Sequence, residues 1–281
     1  MIFEHEIPSG SKLYFGKTAK IKREIESNAA MLLTAKGFEE IVTPFFSYHQ
    51  HDSFENQKSL IRLNDDHNHE VTLRADSTPD VVRIATKRLG RSMESKKWFY
   101  IQPVVTFPTK EQYQVGGEIF QGKFSEALEI TISLLQKLQI EPILQLANIR
   151  IPYLLSNHYG LSLELIKSMH IEAILKCGLP WIDKLISIHT LEDLNDLSLF
   201  PEDIQNELIV LRDAASGIGA MRVVISPLFY AKMGYYDSLT FKMFIDNSLL
   251  AMGGVYTIDG VEASGFALYI DECIAIKTNQ G

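Results

Sequence analysis

The amino-acid sequence predicts an α+β fold, in which a core of strands and helices is interrupted by a helical insertion. Short apolar stretches, typical of strands, alternate with amphipathic helical segments before residue 150 and return after residue 222. Between these two regions the chain has Leu- and Ile-rich segments joined by Asp- and Glu-rich linkers, a pattern typical of short helices. With 281 residues it has room for one large domain and a small insertion. We therefore expect a core of residues 1–150 and 222–281 and an insertion at 151–221.

The first predicted element is an amphipathic helix over residues 17–36. Its apolar residues recur at helical spacing, and Gly37 follows as a stop signal. Residues 37–48 then read as a strand. Pro44 has no N–H to donate, so this strand is expected at a sheet edge or at a bulge.

The next elements alternate between strand and helix. Residues 69–78 form a short strand pattern with a polar end, and residues 78–89 form a helix pattern with Pro79 in its first turn. Residues 99–120 read as two apolar strands joined by a short polar loop.

Capping residues and apolar runs define the later elements. Ser125 is expected to cap a helix over residues 125–138, and Pro201 suits a helix start within the insertion. Three further strands are predicted at residues 221–229, 238–245 and 263–270.

Composition narrows the class of protein. The formal charge of −8 argues against a protein that grips the phosphate backbone of a nucleic acid. No apolar run is long enough to span a membrane, and the N-terminus lacks the pattern of a secretory signal. The two cysteines, Cys177 and Cys273, suit a reducing compartment better than a disulfide framework. We expect a cytoplasmic protein that binds neither nucleic acid nor membrane.

Two histidine pairs have a spacing that would place each pair on one face of a strand. They are His49 with His51 and His67 with His69. A metal site needs a third ligand and supporting hydrogen bonds, which the sequence does not supply. Solvated polar residues are the favoured interpretation, and no metal or cofactor is predicted.

Five segments occur in an order that is more informative than any one of them. They are "GFEEIVTPFFSY" (37–48), "LRADSTPDVVR" (73–83), "FYIQPVVTF…YQVGGEIF" (99–120), "MGYYDSLTF" (233–241) and "MGGVY…ASGFALYIDE" (252–272). They resemble, in turn, the dimer motif, the Leu-Arg-Pro-Glu-Gly-Thr segment, the ATP-binding hairpin, the histidine-recognition stretch and the third motif of class II aminoacyl-tRNA synthetases, histidyl-tRNA synthetase in particular. The resemblance implies a mainly antiparallel sheet flanked by helices.

The chain departs from this family where ATP would be handled. Thr106 and Pro108 stand where the hairpin has an arginine and a glutamate; Glu272 and Ala231 match two further arginines. Arginine binds phosphate through a planar fork of charge-assisted hydrogen bonds, and loss of one such donor typically slows a reaction about a hundredfold or more. Adenylate chemistry is therefore not expected, and Lys110 is the only nearby cation that could replace the arginines.

The half of the family's site that binds the amino acid has matching residues. The resemblance implies that the ligand's amino group is held by Asp76, Thr78 and Gln114. It also implies that the imidazole ring is read by Glu118 with Tyr235 or Tyr236. A carboxylate accepts an imidazole N–H, and tyrosine supplies a wall and a hydroxyl. The alternative is that Asp76 and Glu118 are residual acids without a ligand.

The third motif lies at the end of the sequence, so we expect no anticodon-binding domain of the kind that a synthetase carries. The resemblance is therefore closest to the regulatory subunits of short-form ATP phosphoribosyltransferase, a family of synthetase paralogues. It implies a non-catalytic partner of a separate catalytic subunit, needed for activity and for feedback by histidine at the first step of histidine biosynthesis. ATP would bind the catalytic subunit.

The same resemblance implies a homodimer through residues 37–48, although Ile41, Val42, Phe45 and Phe46 also suit a core. Two other functions remain open. One is an amino-acid-activating ligase of the class II type, and the other is a scaffold paralogue without a ligand.

Overall fold

The structure is a computed structural model. It describes residues 6–48, 50, 57–90, 94–219, 221–231 and 233–279.

The described strands form two sheets. The strands are β1 (Glu39–Glu40), β2 (Phe46–Ser47), β3 (Arg62–Asn64), β4 (Glu70–Leu73), β5 (Lys97–Thr106), β6 (Lys110–Phe120), β7 (Ile143–Asn148), β8 (Val223–Ile225), β9 (Tyr236–Ile245), β10 (Ser248–Ile258) and β11 (Val261–Tyr269). The main sheet has the order β1-β5-β6-β11-β10-β9-β7-β8, and a small sheet has the order β2-β4-β3. Only the two edge strands of the main sheet, β1 and β8, pair in parallel. The predicted mainly antiparallel sheet is confirmed.

Helices cover one face of the main sheet and continue into the insertion. The α-helices are α1 (Gly16–Ala35), α2 (Thr78–Arg83), α3 (Phe124–Lys137), α4 (Arg150–Tyr159), α5 (Leu163–Lys167), α6 (Ile171–Leu175), α7 (Ile182–Ile186), α8 (Glu202–Ser216) and α9 (Ile270–Asn279). A π-helical segment, Ile84–Leu89, prolongs α2, and 3-10 turns occupy Gln57–Ser59 and Glu192–Leu194. Helix α1 contacts α3 and α9, and α3 and α9 also contact the central strands.

The alternation of side chains along β6 separates the two faces of the sheet. Val115 and Ile119 are buried in the hydrophobic core under the helices. Gln114 and Glu118 point to the opposite face, because successive residues of a strand alternate in direction. That opposite face carries the candidate site, bounded by the N-terminus of α2.

Helix α1 and its stop are confirmed, whereas the single strand predicted over residues 37–48 is wrong. Gly37 ends α1 with a φ of 81°, which glycine adopts without strain. The following segment forms only β1 and β2, separated by five residues outside any strand. The carbonyl groups of Thr43 and Pro44 in this gap accept hydrogen bonds from the Arg74 guanidinium (2.9 and 3.1 Å) and not from a neighbouring strand.

Two capping predictions have different outcomes. Helix α8 begins directly after Pro201, as predicted. Ser125 is not the cap of α3, because the helix already begins at Phe124 and Lys123 is its cap residue. Strands β3, β7 and β10 and helix α9 were not predicted from the sequence.

The helices α4 to α8 lie between β7 and β8 in sequence. Their buried residues, such as Leu155 and Leu208, belong to the same hydrophobic cluster as Leu144 and Leu146 of β7. The division into core and insertion remains a prediction. Among the described residues, no helix has the length and apolar character needed to cross a membrane.

Candidate ligand-binding site

A cavity of about 140 Å³ opens on the face of the main sheet that α1, α3 and α9 leave uncovered. All of the residues predicted for amine and imidazole recognition line it. They are Asp76, Thr78, Gln114, Glu118, Tyr235 and Tyr236.

Four separate stretches of chain bring these side chains together. Asp76 and Thr78 lie between β4 and the first turn of α2, where the chain turns over the sheet. Glu118 lies on the cavity face of β6. Tyr236 opens β9, and Tyr256 reaches the same cavity from β10.

Glu118 forms the floor of the cavity and is surrounded by hydroxyl groups. Thr78 Oγ1 donates to its Oε1 at 2.8 Å, and the Tyr256 hydroxyl donates to its Oε2 at 2.6 Å. The Tyr100 hydroxyl makes a longer contact of 3.4 Å. Burial raises the pKa of Glu118 from 4.5 to about 8, although the hydrogen bonds oppose this shift. Glu118 is therefore largely protonated at neutral pH.

Two glycines allow Glu118 and Tyr100 to lie across the neighbouring strands. A Cβ atom at Gly265 of β11 would clash with the Glu118 carboxylate, and one at Gly116 would clash with the Tyr100 ring. Both positions require glycine, because the side chain of a neighbouring strand passes directly over the backbone.

Asp76 is the second buried acid of the cavity. It accepts a hydrogen bond from the Tyr235 hydroxyl at 2.8 Å and one from the Thr78 backbone N–H at 3.1 Å. Burial raises its pKa as well. Tyr235 thus contacts the acid assigned to the amino group, and the hydroxyl of Thr78 contacts the acid assigned to the imidazole.

Aromatic rings form one wall of the cavity. The ring centroids of Tyr235 and Tyr236 lie 5.0 Å apart, and those of Tyr235 and Tyr256 lie 5.5 Å apart. Gln114 lies further along β6, where its side-chain N–H donates to Gln112 at 3.3 Å. The aromatic wall can pack against a flat ring, and the side-chain amides of Gln112 and Gln114 can form hydrogen bonds with the polar groups of a ligand.

Gln50 fixes the main chain at Asp76 through hydrogen bonds. Its Oε1 accepts the backbone N–H of Asp76 at 2.8 Å, while its Nε2 donates to the Asp76 carbonyl at 2.8 Å and to Asp80 Oδ2 at 2.9 Å. Ser47 donates to the other oxygen of Asp80 at 2.6 Å. Asp76 is therefore held at the cavity by its own main chain.

Comparisons with known proteins identify the family to which this chain belongs. A family model described as histidyl-tRNA synthetase matches residues 15–179. The chain is 44% identical over 285 residues to the ATP phosphoribosyltransferase regulatory subunit of Wolinella succinogenes, a match that covers 100% of this chain and 99% of that protein. This chain belongs to the ATP phosphoribosyltransferase regulatory subunit family.

Further similarities agree with this assignment. The regulatory subunit from Helicobacter hepaticus is 39% identical over 276 residues, which is 98% of each chain. A crystal structure described as an ATP phosphoribosyltransferase regulatory subunit/histidyl-tRNA synthetase from Bacillus halodurans has a TM-score of 0.83 at 20% identity, covering 98% of this chain and 84% of that one. The second similarity shows the fold, which is that of a class II synthetase catalytic domain. The predictions of this fold and of a non-catalytic regulatory subunit are confirmed.

The residues that stand in place of synthetase arginines differ in their surroundings. Thr106 lines the outer part of the cavity together with Lys110. Ala231 is buried in an apolar cluster that includes Tyr236 and Tyr256. Glu272 lies in the first turn of α9 and is not part of the cavity lining. No arginine lines the cavity within the part of the chain that the structure describes.

Arg74 lies near the cavity but has a structural role in this family member. Its guanidinium group is buried and donates to the carbonyl groups of Thr43, Pro44 and Pro103. These bonds tie the segment between β1 and β2 to the end of β5. Arg74 is thus occupied by main-chain acceptors.

Four residues that contribute to the site were not predicted from the sequence. They are Tyr100, Tyr256, Gln50 and Gln112. Tyr256 lies within the third-motif segment, so the sequence could have indicated that it is near the site. Its hydrogen bond to Glu118, 138 residues away in sequence, could not be predicted from a local pattern.

A metal site finds no support among the residues that the structure describes, where no group of three His, Cys, Asp or Glu side chains could hold an ion. His67 and His69 lie in an exposed turn, in which Asp65 accepts both backbone N–H groups. His49 and His51 lie outside the described residues.

Proposed function

We propose that this chain assembles with the catalytic subunit of short-form ATP phosphoribosyltransferase and binds histidine in the cavity between Asp76 and Glu118. Through this complex it supports activity at the first step of histidine biosynthesis and transmits feedback inhibition by histidine. The observation that carries the proposal is the pairing of full-length similarity to regulatory subunits with a cavity that holds two buried acids.

Histidine matches the chemistry of this cavity. Its amino group and its imidazole N–H are donors, and Asp76 and Glu118 are the buried acceptors. The tyrosine wall accommodates a flat ring beside these acids. A donor that replaces the proton on Glu118 would convert a buried neutral acid into a paired carboxylate.

Feedback of this kind requires that histidine bind two states of the complex with different affinities. Catalysis by this chain is not needed. ATP and phosphoribosyl pyrophosphate bind the catalytic subunit, since this cavity has no arginine among its described lining residues.

We also propose that two copies pair through residues 37–48. Ile41 is buried with Val81 and Trp98, so this residue belongs to the core. The neighbouring apolar side chains are exposed. They form an apolar patch of Val42, Phe45, Phe46, Tyr48 and, from β3, Leu63. Exposed apolar area of this kind is typical of an interface.

A cytoplasmic location and the absence of nucleic-acid binding belong to the same proposal. Cys177 and Cys273 are both free thiols, as expected in a reducing compartment. The net charge of −8 opposes a phosphate backbone.

The test is formation of phosphoribosyl-ATP by the short-form catalytic subunit, with and without this chain and then with added histidine. We expect stimulation by this chain and its reversal by histidine. Calorimetry with the isolated chain measures histidine binding separately. No stimulation at any ratio of subunits would refute the assembly, and stimulation without histidine binding would restrict this chain to activation.

Histidine-dependent exchange of pyrophosphate into ATP separates the remaining alternatives. A ligase would catalyse this exchange, whereas the proposed subunit and a scaffold would not. Binding of histidine then distinguishes the proposed subunit from a scaffold.

A further inference from the structure

The cavity has an uneven distribution of charge. Its buried end holds Asp76 and Glu118, whose oxygens accept hydrogen bonds from neighbouring hydroxyl and N–H groups. Its outer end holds Lys110, which is the basic side chain among the described residues that line it. A ligand that fits this layout has donors at one end and an anionic group at the other.

Lys110 has the position and the freedom to serve the outer end. It is the first residue of β6 and pairs across the hairpin with Thr106. Lys110, Gln112 and Gln114 line the same cavity, because alternate residues of a strand point to one face. The flexible four-carbon stem lets the ammonium group lean along this row of polar side chains.

The ammonium group of Lys110 is also unpaired. Among the residues that the structure describes, none forms an ion pair or a hydrogen bond with it. The acid beside it in sequence, Glu111, points to the opposite face of β6 and accepts the backbone N–H of Lys12. Lys110 therefore contributes a cation that the protein itself does not neutralise.

We propose that Lys110 attracts the carboxylate of the bound amino acid and so selects a zwitterion over an amine that lacks a carboxylate. This inference rests on the proposed histidine site. It gives that site the anion-binding group that a buried alanine at position 231 does not supply. Lysine acts here as a point charge, so its effect depends on charge more than on hydrogen-bond geometry.

The test compares histidine with histamine, which carries the same imidazole and amine but no carboxylate. In calorimetry, Lys110→Met is expected to weaken histidine binding about fivefold and to leave histamine binding unchanged. Lys110→Arg retains the charge and is expected to retain the preference for histidine. Lys137→Met, at an exposed lysine in the last turn of α3, is the matched control.

Each outcome decides between the proposals. Equal losses for histidine and histamine in Lys110→Met, or no loss for either, would overturn the role of Lys110 while leaving the histidine site standing. Absence of histidine binding by the wild-type chain would overturn the site and this inference together.

Discussion

At the scale of single residues, Glu118 is an acid whose surroundings keep it protonated. It is 1 % exposed and its neighbours Thr78, Tyr100 and Tyr256 are uncharged hydroxyl donors. Desolvation disfavours the carboxylate more strongly than these hydrogen bonds favour it, and the pKa rises to about 8. A ligand with a positive charge or an acidic N–H would reverse this balance.

This pKa predicts how stability depends on pH. Between pH 4.5 and about 8 the folded protein retains a proton on Glu118 that the unfolded chain has released. The contribution of this group to the free energy of unfolding is therefore fully present below pH 4.5 and falls as the pH rises, by up to about 1.4 kcal/mol per pH unit. Glu118→Gln removes this dependence. Urea titrations at several pH values should show the variant gaining stability relative to wild type as the pH rises.

The matched control for this measurement is Glu262→Gln, at an exposed glutamate of β11. Its stability should follow the wild-type dependence on pH. Parallel curves for wild type and Glu118→Gln would contradict a raised pKa. Unchanged histidine affinity in Glu118→Gln would remove Glu118 from the ligand site.

At the scale of secondary-structure elements, the site depends on how closely β6 and β11 pair. Gly265 lies directly opposite Glu118 in the antiparallel register. The carboxylate of Glu118 occupies the space above Gly265 that a side chain would otherwise fill. Because β11 has no side chain at this position, it leaves the space in which the Glu118 carboxylate lies.

Gly265→Ala should therefore displace the Glu118 carboxylate. The expected loss of histidine affinity is about tenfold to a hundredfold, the value of a hydrogen bond to a charged group. Calorimetry measures the affinity, and circular dichroism shows whether the sheet is retained.

Gly217→Ala provides the control, because a Cβ atom there would meet nothing within 4 Å. This variant should bind histidine as the wild type does. A folded Gly265→Ala protein with wild-type affinity would show that Glu118 does not have to occupy this position for binding.

At the scale of the whole molecule, the apolar patch on the small sheet suggests how copies associate. Val42 is 75 % exposed and Phe46 is 58 % exposed, although both side chains are apolar. A patch of exposed aromatic and aliphatic side chains favours a two-fold interface, in which the same surface serves both copies.

Phe46→Asp should disrupt this association. A charge in the centre of an apolar interface is expected to raise the dissociation constant of the dimer about thirtyfold or more. Sedimentation equilibrium measures this constant. Leu199→Asp, at an equally exposed leucine (58 %) outside the patch, should leave it unchanged. A Phe46→Asp dimer as tight as wild type would exclude the patch as the interface.

The sequence by itself determined the elements whose signals are local. The apolar spacing of α1 with Gly37, the hairpin of β5 and β6, and the start of α8 after Pro201 depend on residues close together in the chain. The family segments and the missing arginines could also be read directly, because each is an identity at a position. These features were sufficient to predict the fold and the regulatory class.

Only the tertiary structure decided which groups meet. Tyr235 contacts Asp76 across 159 residues, and Tyr256 contacts Glu118 across 138. The break between β1 and β2 likewise depends on Arg74, which lies some thirty residues further along the chain. Such contacts depend on sheet order and register, which combine strands from distant parts of the chain. A local pattern contains neither quantity, so the residue types of the site were predictable and its hydrogen-bond partners were not.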